Sequence, residues 1–138
     1  MNKNIDYKEL LSLAEAAREK SYCPYSGVAV GAALLTKKGK IYTGANIENA
    51  AYGPTVCAER VAIFTAGHAG EREFCAIAVA GGRAGEVGRD MFAPCGVCRQ
   101  VMAEFADDDF VVILSDGDSY RLLPFDEVLP HRFTKDKL

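Results

Sequence analysis

Two short cysteine clusters, Cys57-Ala58-Glu59 and Pro94-Cys95-Gly96-Val97-Cys98, constrain this chain more than any other feature. Each stands at the start of a segment with helical apolar spacing, over residues 57–66 and 96–104. Between them lie a short apolar run, 74–80, with the pattern of a buried strand, and a loop-like stretch, 81–89. Free amides and the helix dipole at a helix start favour a thiolate over a thiol, and two such starts can face one ion.

The rest of the chain supplies a sheet for these helices. Residues 7–20 carry Leu10, Leu11, Leu13, Ala14 and Ala17 with charges between them, which predicts an amphipathic helix ending before Pro24. Residues 28–35 and 41–45, separated by a glycine-containing turn, read as a hairpin of two strands. Thr55, just after Pro54, is the expected cap of the helix over 57–66, and Gly67 and Gly70 offer its stop. Residues 110–114 read as another buried strand, Asp116-Gly117 as a turn, 119–122 as an edge strand and 125–129 as a short helical turn. The acidic run Asp107-Asp108-Asp109 reads as a solvated loop despite its metal-like composition. No repeat, low-complexity segment or linker divides residues 1–138, so one domain is expected. The order of elements implies an α/β fold, a three-layer α/β/α arrangement around a central mixed sheet of about five strands.

Composition narrows the function classes. A net charge of -3, with both signs scattered through the chain, offers no extended positive surface for a nucleic acid polymer. A small, weakly charged substrate fits better. Residues 1–5 are polar with no signal-like apolar core behind them, and nothing approaches the ~20 apolar residues of a membrane span, so a cytosolic protein is expected. Five cysteines in a reducing compartment read as thiols or metal ligands rather than a disulfide framework.

A lone Cys-x-x-Cys also occurs as a redox pair or as half of a zinc ribbon; the second cluster decides for a metal. Cys57, Cys95 and Cys98 make three thiolates, one short of a closed structural zinc site, and neither His68 nor His131 stands at ligand spacing. A position for water remains. Glu59, two residues beyond Cys57, can take a proton from that water and return it to the substrate, although acidic residues also suit any helix start. Arg60 would offset the negative charge of the sulfurs, or be an ordinary exposed helix arginine; both readings stand. Cys23 and Cys75 fall outside this set.

Cys-Ala-Glu followed by Pro-Cys-x-x-Cys is the signature of zinc nucleobase and nucleoside deaminases. With Tyr22-Cys23-Pro24-Tyr25-Ser26, Val30-Gly31-Ala32-Ala33-Leu34, Asn46-Ile47-Glu48-Asn49-Ala50-Ala51-Tyr52, Cys57-Ala58-Glu59-Arg60 and Pro94-Cys95-Gly96-Val97-Cys98-Arg99-Gln100, the chain resembles the short, all-cysteine cytidine deaminases in register over nearly its whole length. The resemblance implies one zinc ion per subunit on Cys57, Cys95 and Cys98, and a homotetramer with active sites shared between subunits. It implies conversion of cytidine and deoxycytidine to uridine and deoxyuridine with release of ammonia, in cytoplasmic pyrimidine salvage. A zinc-activated water would attack C4 of the base while Glu59 carries protons to N3 and the departing amine. Asn46 and Glu48 would hold the ribose hydroxyls, the backbone around Ala58 and around 93–95 would read the base edges, and Phe133 would reach a neighbouring subunit's base. The family's other aromatic position holds Val28, so substrate affinity or choice is expected to differ there.

Three alternatives are weighed against this expectation. A deaminase of another cytosine nucleoside, such as a blasticidin-type antibiotic, is disfavoured by the Asn46-x-Glu48 pair, and a polynucleotide editor by the charge balance. A non-catalytic zinc or thiol protein is disfavoured by Glu59 and the missing fourth ligand.

Overall fold

Alternation of small and large apolar residues along the strands decides which helix covers which face of the sheet. The computed structural model describes residues 5–138; the first four residues of the polar start lie outside the described residues. Strands β1 (Val28–Thr36), β2 (Ile41–Ala45), β3 (Phe74–Arg83), β4 (Ala106–Asp116) and β5 (Ser119–Pro124) form a mixed sheet in the order β2-β1-β3-β4-β5. Only β3 and β4 run parallel. On one face Ala33, Ala76, Ala78, Ala80 and Ile113 meet Leu10 and Ala14 of helix α1 (Tyr7–Ala17). On the other, Ala32, Leu34, Ile77, Val79, Val112 and Leu114 pack against α2 (Ala58–His68), α3 (Gly96–Phe105) and the short α4 (Phe125–Val128). The expected three layers and mixed five-stranded sheet are thus present. With helices above and below, β3 is buried throughout except at Arg83, which is why it reads as a continuous apolar run.

Two glycines set how closely the helices approach. A Cβ on Gly31 would come within 2.0 Å of the Ala14 carbonyl oxygen in α1. A Cβ on Gly44 would stand 2.6 Å from both the Ala58 carbonyl oxygen and the Ala62 amide nitrogen in α2. The second contact is the one that lays the start of α2 against the sheet. The buried large side chains of the two layers, among them Phe74, Phe110, Leu34 and Ile63, each contribute roughly 1.5–3 kcal/mol of burial to holding this arrangement.

Several boundaries differ from the sequence expectation. The first α-helix stops at Ala17 and a 3-10 turn, Arg18–Lys20, completes it. Arg18 turns inward there: its guanidinium donates to the Ala29, Glu86 and Arg83 carbonyls at 2.7, 2.8 and 3.0 Å and to Glu15 at 2.7 Å. β3 runs past Ala80 into the expected loop because Gly81 and Gly82 pair with Val30 and Ala29 of β1. The Asp107–Asp109 run is no loop; it lies on the irregular start of β4, where the register with β3 shifts. Thr55 does not cap α2. Its hydroxyl accepts the Asn49 amide at 3.1 Å, and Cys57 takes the N-cap position. No helix of the described residues is long and apolar enough to cross a membrane.

Gly44→Ala is expected to destabilise the protein by about 1–3 kcal/mol, because backbone rather than a flexible side chain blocks the added methyl. Gly67→Ala, where an added Cβ meets nothing within 4 Å in α2, should instead stabilise by about 0.5 kcal/mol. Denaturant unfolding of the two variants beside the parent checks both signs.

Candidate metal and active site

Both cysteine clusters sit at helix starts, as expected, and for the same local reason. Cys57 (φ -76, ψ 155) and Cys95 (φ -71, ψ 170) are the N-caps of α2 and α3, with extended backbone and no side-chain capping hydrogen bond. Their carbonyls open the helices, accepting from Val61 at 3.2 Å and from Arg99 at 3.0 Å, while their thiols stay free to face each other. Cys98 is buried in the first turn of α3. The three sulfurs lie within 4.8 Å of one another, and Cys57 Sγ and Cys95 Sγ are 3.8 Å apart. A tetrahedral zinc with bonds of ~2.3 Å holds its sulfurs about 3.8 Å apart, so the donor set fits that ion in type and spacing. Arg99 steadies the approach to Cys95, donating to the Pro94 and Val128 carbonyls at 2.7 Å each.

The electrostatics agree with a site built for a cation. The Cys98 thiol donates to Cys57 and, with Arg60, holds the Cys57 thiol down to about 5, while the same hydrogen bond and burial push Cys98 upward. Arg60 Nη2 donates to Cys57 Sγ at 3.4 Å, so its side chain stands beside the sulfurs. That contact raises its pKa further, and its Nε is buried without a hydrogen-bond partner. Glu59 is only 4% exposed, and this burial raises its carboxyl to about 7. A carboxyl so placed can hold or release a proton near neutrality.

A cavity of about 190 Å³ opens over these groups, lined by Cys57, Ala58, Glu59 and Cys95 together with Val30, Val79, Asn46 and Phe92. Asn46 is already committed on three sides. Its Oδ1 accepts from Ser21 Oγ at 2.5 Å and from the Val30 amide at 2.9 Å, and its Nδ2 donates to the Val28 carbonyl at 2.9 Å. One amide hydrogen is left. The Glu48 carboxylate accepts from the Tyr25 and Ser26 amides, at 2.9 and 3.1 Å, and from the Ser26 hydroxyl. The hydroxyl contact chiefly holds its pKa below the usual value. Glu48 lines a second cavity of about 270 Å³ with Tyr25, Ser26, Asn49, Tyr52 and Thr55, and Thr55 borders both cavities.

Not every expected residue gathers there. Val28 is not among the residues lining either cavity. Phe133 is 59% exposed and also lies outside them; its carbonyl accepts from Gln100 Nε2 at 2.9 Å. Cys75 is buried in β3, its sulfur turned to the Leu35 and Thr36 carbonyls, and Cys23 is not in the thiol cluster. Sequence reasoning missed Phe92 and the anchoring role of Arg99. Phe92 is a large apolar residue in a short segment between Asp90 and Pro94, three positions before a metal-type cysteine, and that placement was the available signal.

Comparison with known proteins matches this geometry. The family described as the cytidine and deoxycytidylate deaminase zinc-binding region matches residues 4–114. Cytidine deaminases of Halalkalibacterium halodurans and Sporosarcina psychrophila are 46% and 44% identical over 136 residues, spanning 97% of this chain and 98% and 96% of theirs. A crystal structure of cytidine deaminase from Burkholderia pseudomallei superposes with a TM-score of 0.83 at 45% identity, covering 94% of this chain and all of that one. A blasticidin-S deaminase of Bacillus cereus is more distant, 36% identical over 138 residues, 96% of this chain and 97% of its own. With its three-cysteine cluster fitting a zinc site, the chain belongs to the cytidine and deoxycytidylate deaminase family.

Proposed function

We propose that this protein is a zinc-dependent cytidine deaminase that hydrolyses cytidine and deoxycytidine to the corresponding uridines and ammonia. The observation that carries the reading is the buried Glu59 carboxyl in one cavity with the thiols of Cys57 and Cys95 and the amide of Asn46. Zinc held by Cys57, Cys95 and Cys98 supplies a water acidic enough to act as a nucleophile near neutral pH. Glu59, with a proton affinity raised by burial, would take one proton from the attacking water and pass it to N3, then take the second from the new C4 hydroxyl and pass it to the departing amine, so that water supplies the oxygen and both protons. The remaining N–H of Asn46 and the acceptor oxygens of Glu48 suit ribose hydroxyls, and the backbone around Ala58, which lines the cavity at the start of α2, suits the base edge. Val30 and Val79 give the cavity an apolar floor on the sheet.

The same proposal makes the protein a single-domain subunit of a homotetramer whose active sites are shared. Phe133, exposed and near the C-terminal end, is available to a neighbouring subunit's base, and Val28 stands at the family's other aromatic position. Cytoplasmic pyrimidine salvage is the setting that suits five free cysteines and a nucleoside substrate. The similarity to a blasticidin-S deaminase favours one second reading, a cytosine-nucleoside antibiotic as substrate.

The test is an assay of ammonia release from cytidine, deoxycytidine, cytosine and blasticidin S alongside zinc content. Turnover of cytidine and deoxycytidine is expected. Turnover of the antibiotic alone would move the assignment to the second reading, and bound zinc with no deamination would leave a non-catalytic zinc protein. Glu59→Gln should keep its zinc and lose about 10²–10⁴-fold in kcat, so a variant within a few-fold of the parent removes Glu59 from proton transfer. Arg60→Ala should bind zinc about 10-fold more weakly, read by competition with a chelator, because Cys57 loses its charged donor.

A further inference from the structure

We infer that Phe92, seated against the backbone of Gly81, is the aromatic wall on which the pyrimidine base rests. This deepens the nucleoside reading of the cavity and depends on it. Phe92 is the single aromatic among the residues lining the cavity over Cys57 and Glu59; its apolar companions are Val30, Val56, Val79, Ala58 and Ala93. A conjugated pyrimidine offers a flat π-face, and a ring meets that face with more area and better electrostatic match than branched aliphatics do.

The ring is held in place from three directions. A Cβ on Gly81 would stand 2.6 Å from Phe92 Cγ, 2.8 Å from Cδ1 and 3.0 Å from Cδ2, so the ring occupies the space that any other residue at 81 would fill. Gly81 follows Ile77 and Val79 at the two-residue period of β3 and so shares the face covered by α2 and α3. Upstream, Asp90 bridges to Gly81, and the Asp90 carbonyl accepts from Ser115 Oγ at 2.9 Å. Downstream, Arg99 holds the Pro94 carbonyl at 2.7 Å, one residue before Cys95. The segment carrying Phe92 is therefore pinned at both ends, at a set distance from the sulfurs. Phe92 packs against the core yet stays only partly buried, which leaves ring surface free for a ligand. A pre-positioned ring loses little freedom when a base arrives.

The experiment measures KM and kcat for cytidine, the inhibition constant of uridine and the zinc content of Phe92→Ala, Phe92→Tyr, Gly81→Ala and the Gly81→Ala/Phe92→Ala double variant. Phe92→Ala should raise KM and the uridine constant together by about 5- to 100-fold, the range for losing one base–aromatic stack, with zinc content and kcat close to the parent. Phe92→Tyr should restore both constants. Gly81→Ala should reproduce the Phe92→Ala defect by displacing the ring, and the double variant should be no worse than either single one. Where Phe92→Ala fails to fold or to hold zinc, Phe92→Leu, which keeps apolar bulk without the ring, carries the same expectation. A parent that deaminates cytidine beside a zinc-loaded Phe92 variant with KM within two-fold overturns the inference and leaves the nucleoside reading standing. Additive effects of the two substitutions overturn the role of Gly81. A parent that releases no ammonia from cytidine overturns both the inference and the reading it rests on.

Discussion

Three thiols meet in this fold because two helices begin at one spot, and everything chemical depends on that convergence. An N-cap residue has extended backbone while its carbonyl already belongs to the helix, so its side chain is aimed by the helix start. Serine or aspartate at that position would spend its oxygen on the first-turn amides. Cysteine at 57 and 95 makes no such bond, which leaves both sulfurs pointing at a shared centre while the free amides and dipoles add positive potential. The sheet makes the two starts neighbours. α3 bridges the parallel pair β3 and β4, α2 leads from β2 into β3, and both lie on the same face. Gly44 lets α2 settle close enough, since its missing side chain leaves room for the backbone at Ala58 and Ala62.

The cost of this arrangement is electrostatic. A buried carboxyl stands next to a cluster of sulfurs: burial and then the charge of Cys57 raise the proton affinity of Glu59, and Cys57, burial and Glu59 raise that of Cys98. Among the described residues Arg60 gives the cluster a positive charge, donating to Cys57 Sγ at 3.4 Å and also reaching Cys98. A dication held by the three thiols would relieve the repulsion and would supply an acidic water beside Glu59. The same burial that destabilises Glu59 as an anion brings its proton affinity near neutrality, where a group that must both accept and donate is most effective. The surrounding scaffold can carry this cost: β3 is covered on both faces, and the alanine-lined surface beneath α1 allows a close second layer.

Much of this was legible in the sequence because the governing patterns are local. Cysteine spacing, Cys57 and Cys95 at the heads of apolar-periodic segments, and the apolar run of β3 all report on nearest neighbours along the chain. What escaped depends on contacts between distant segments. Thr55 was a sound cap by residue type, but the Asn49 amide claims its hydroxyl from six positions away. Gly81 and Gly82 read as a loop because glycine weakens strands, yet here the absence of side chains admits Phe92 on one face, and β1 supplies the pairing that keeps them extended. Asp107 to Asp109 read as a loop because three adjacent acids seldom share a strand, and the β4 register shift accommodates them with Asp108 and Asp109 exposed. The sequence leaves Arg60 between two readings although its partner Cys57 is only three residues away, because the spacing alone does not say whether the guanidinium turns back to the sulfur or out to solvent.

Asn46 and Glu48 show how cavity walls can be built from residues the fold already needs. Ile47, between them, exchanges two backbone hydrogen bonds with Val56 at 3.0 Å each, and Tyr22 brackets the same segment through the Asn46 carbonyl and the Glu48 amide at 2.9 and 2.8 Å. Val56 is the residue before Cys57. The spacing between the Asn46–Glu48 pair and the sulfurs is therefore transmitted through a pair of main-chain hydrogen bonds rather than through flexible side chains. The Asn46 amide then ties Ser21 to the β1 backbone at Val28 and Val30, so the wall of the cavity and the group that faces it are fixed by one side chain. A side chain with most of its hydrogen-bonding capacity engaged keeps little rotamer freedom to lose on meeting a ligand.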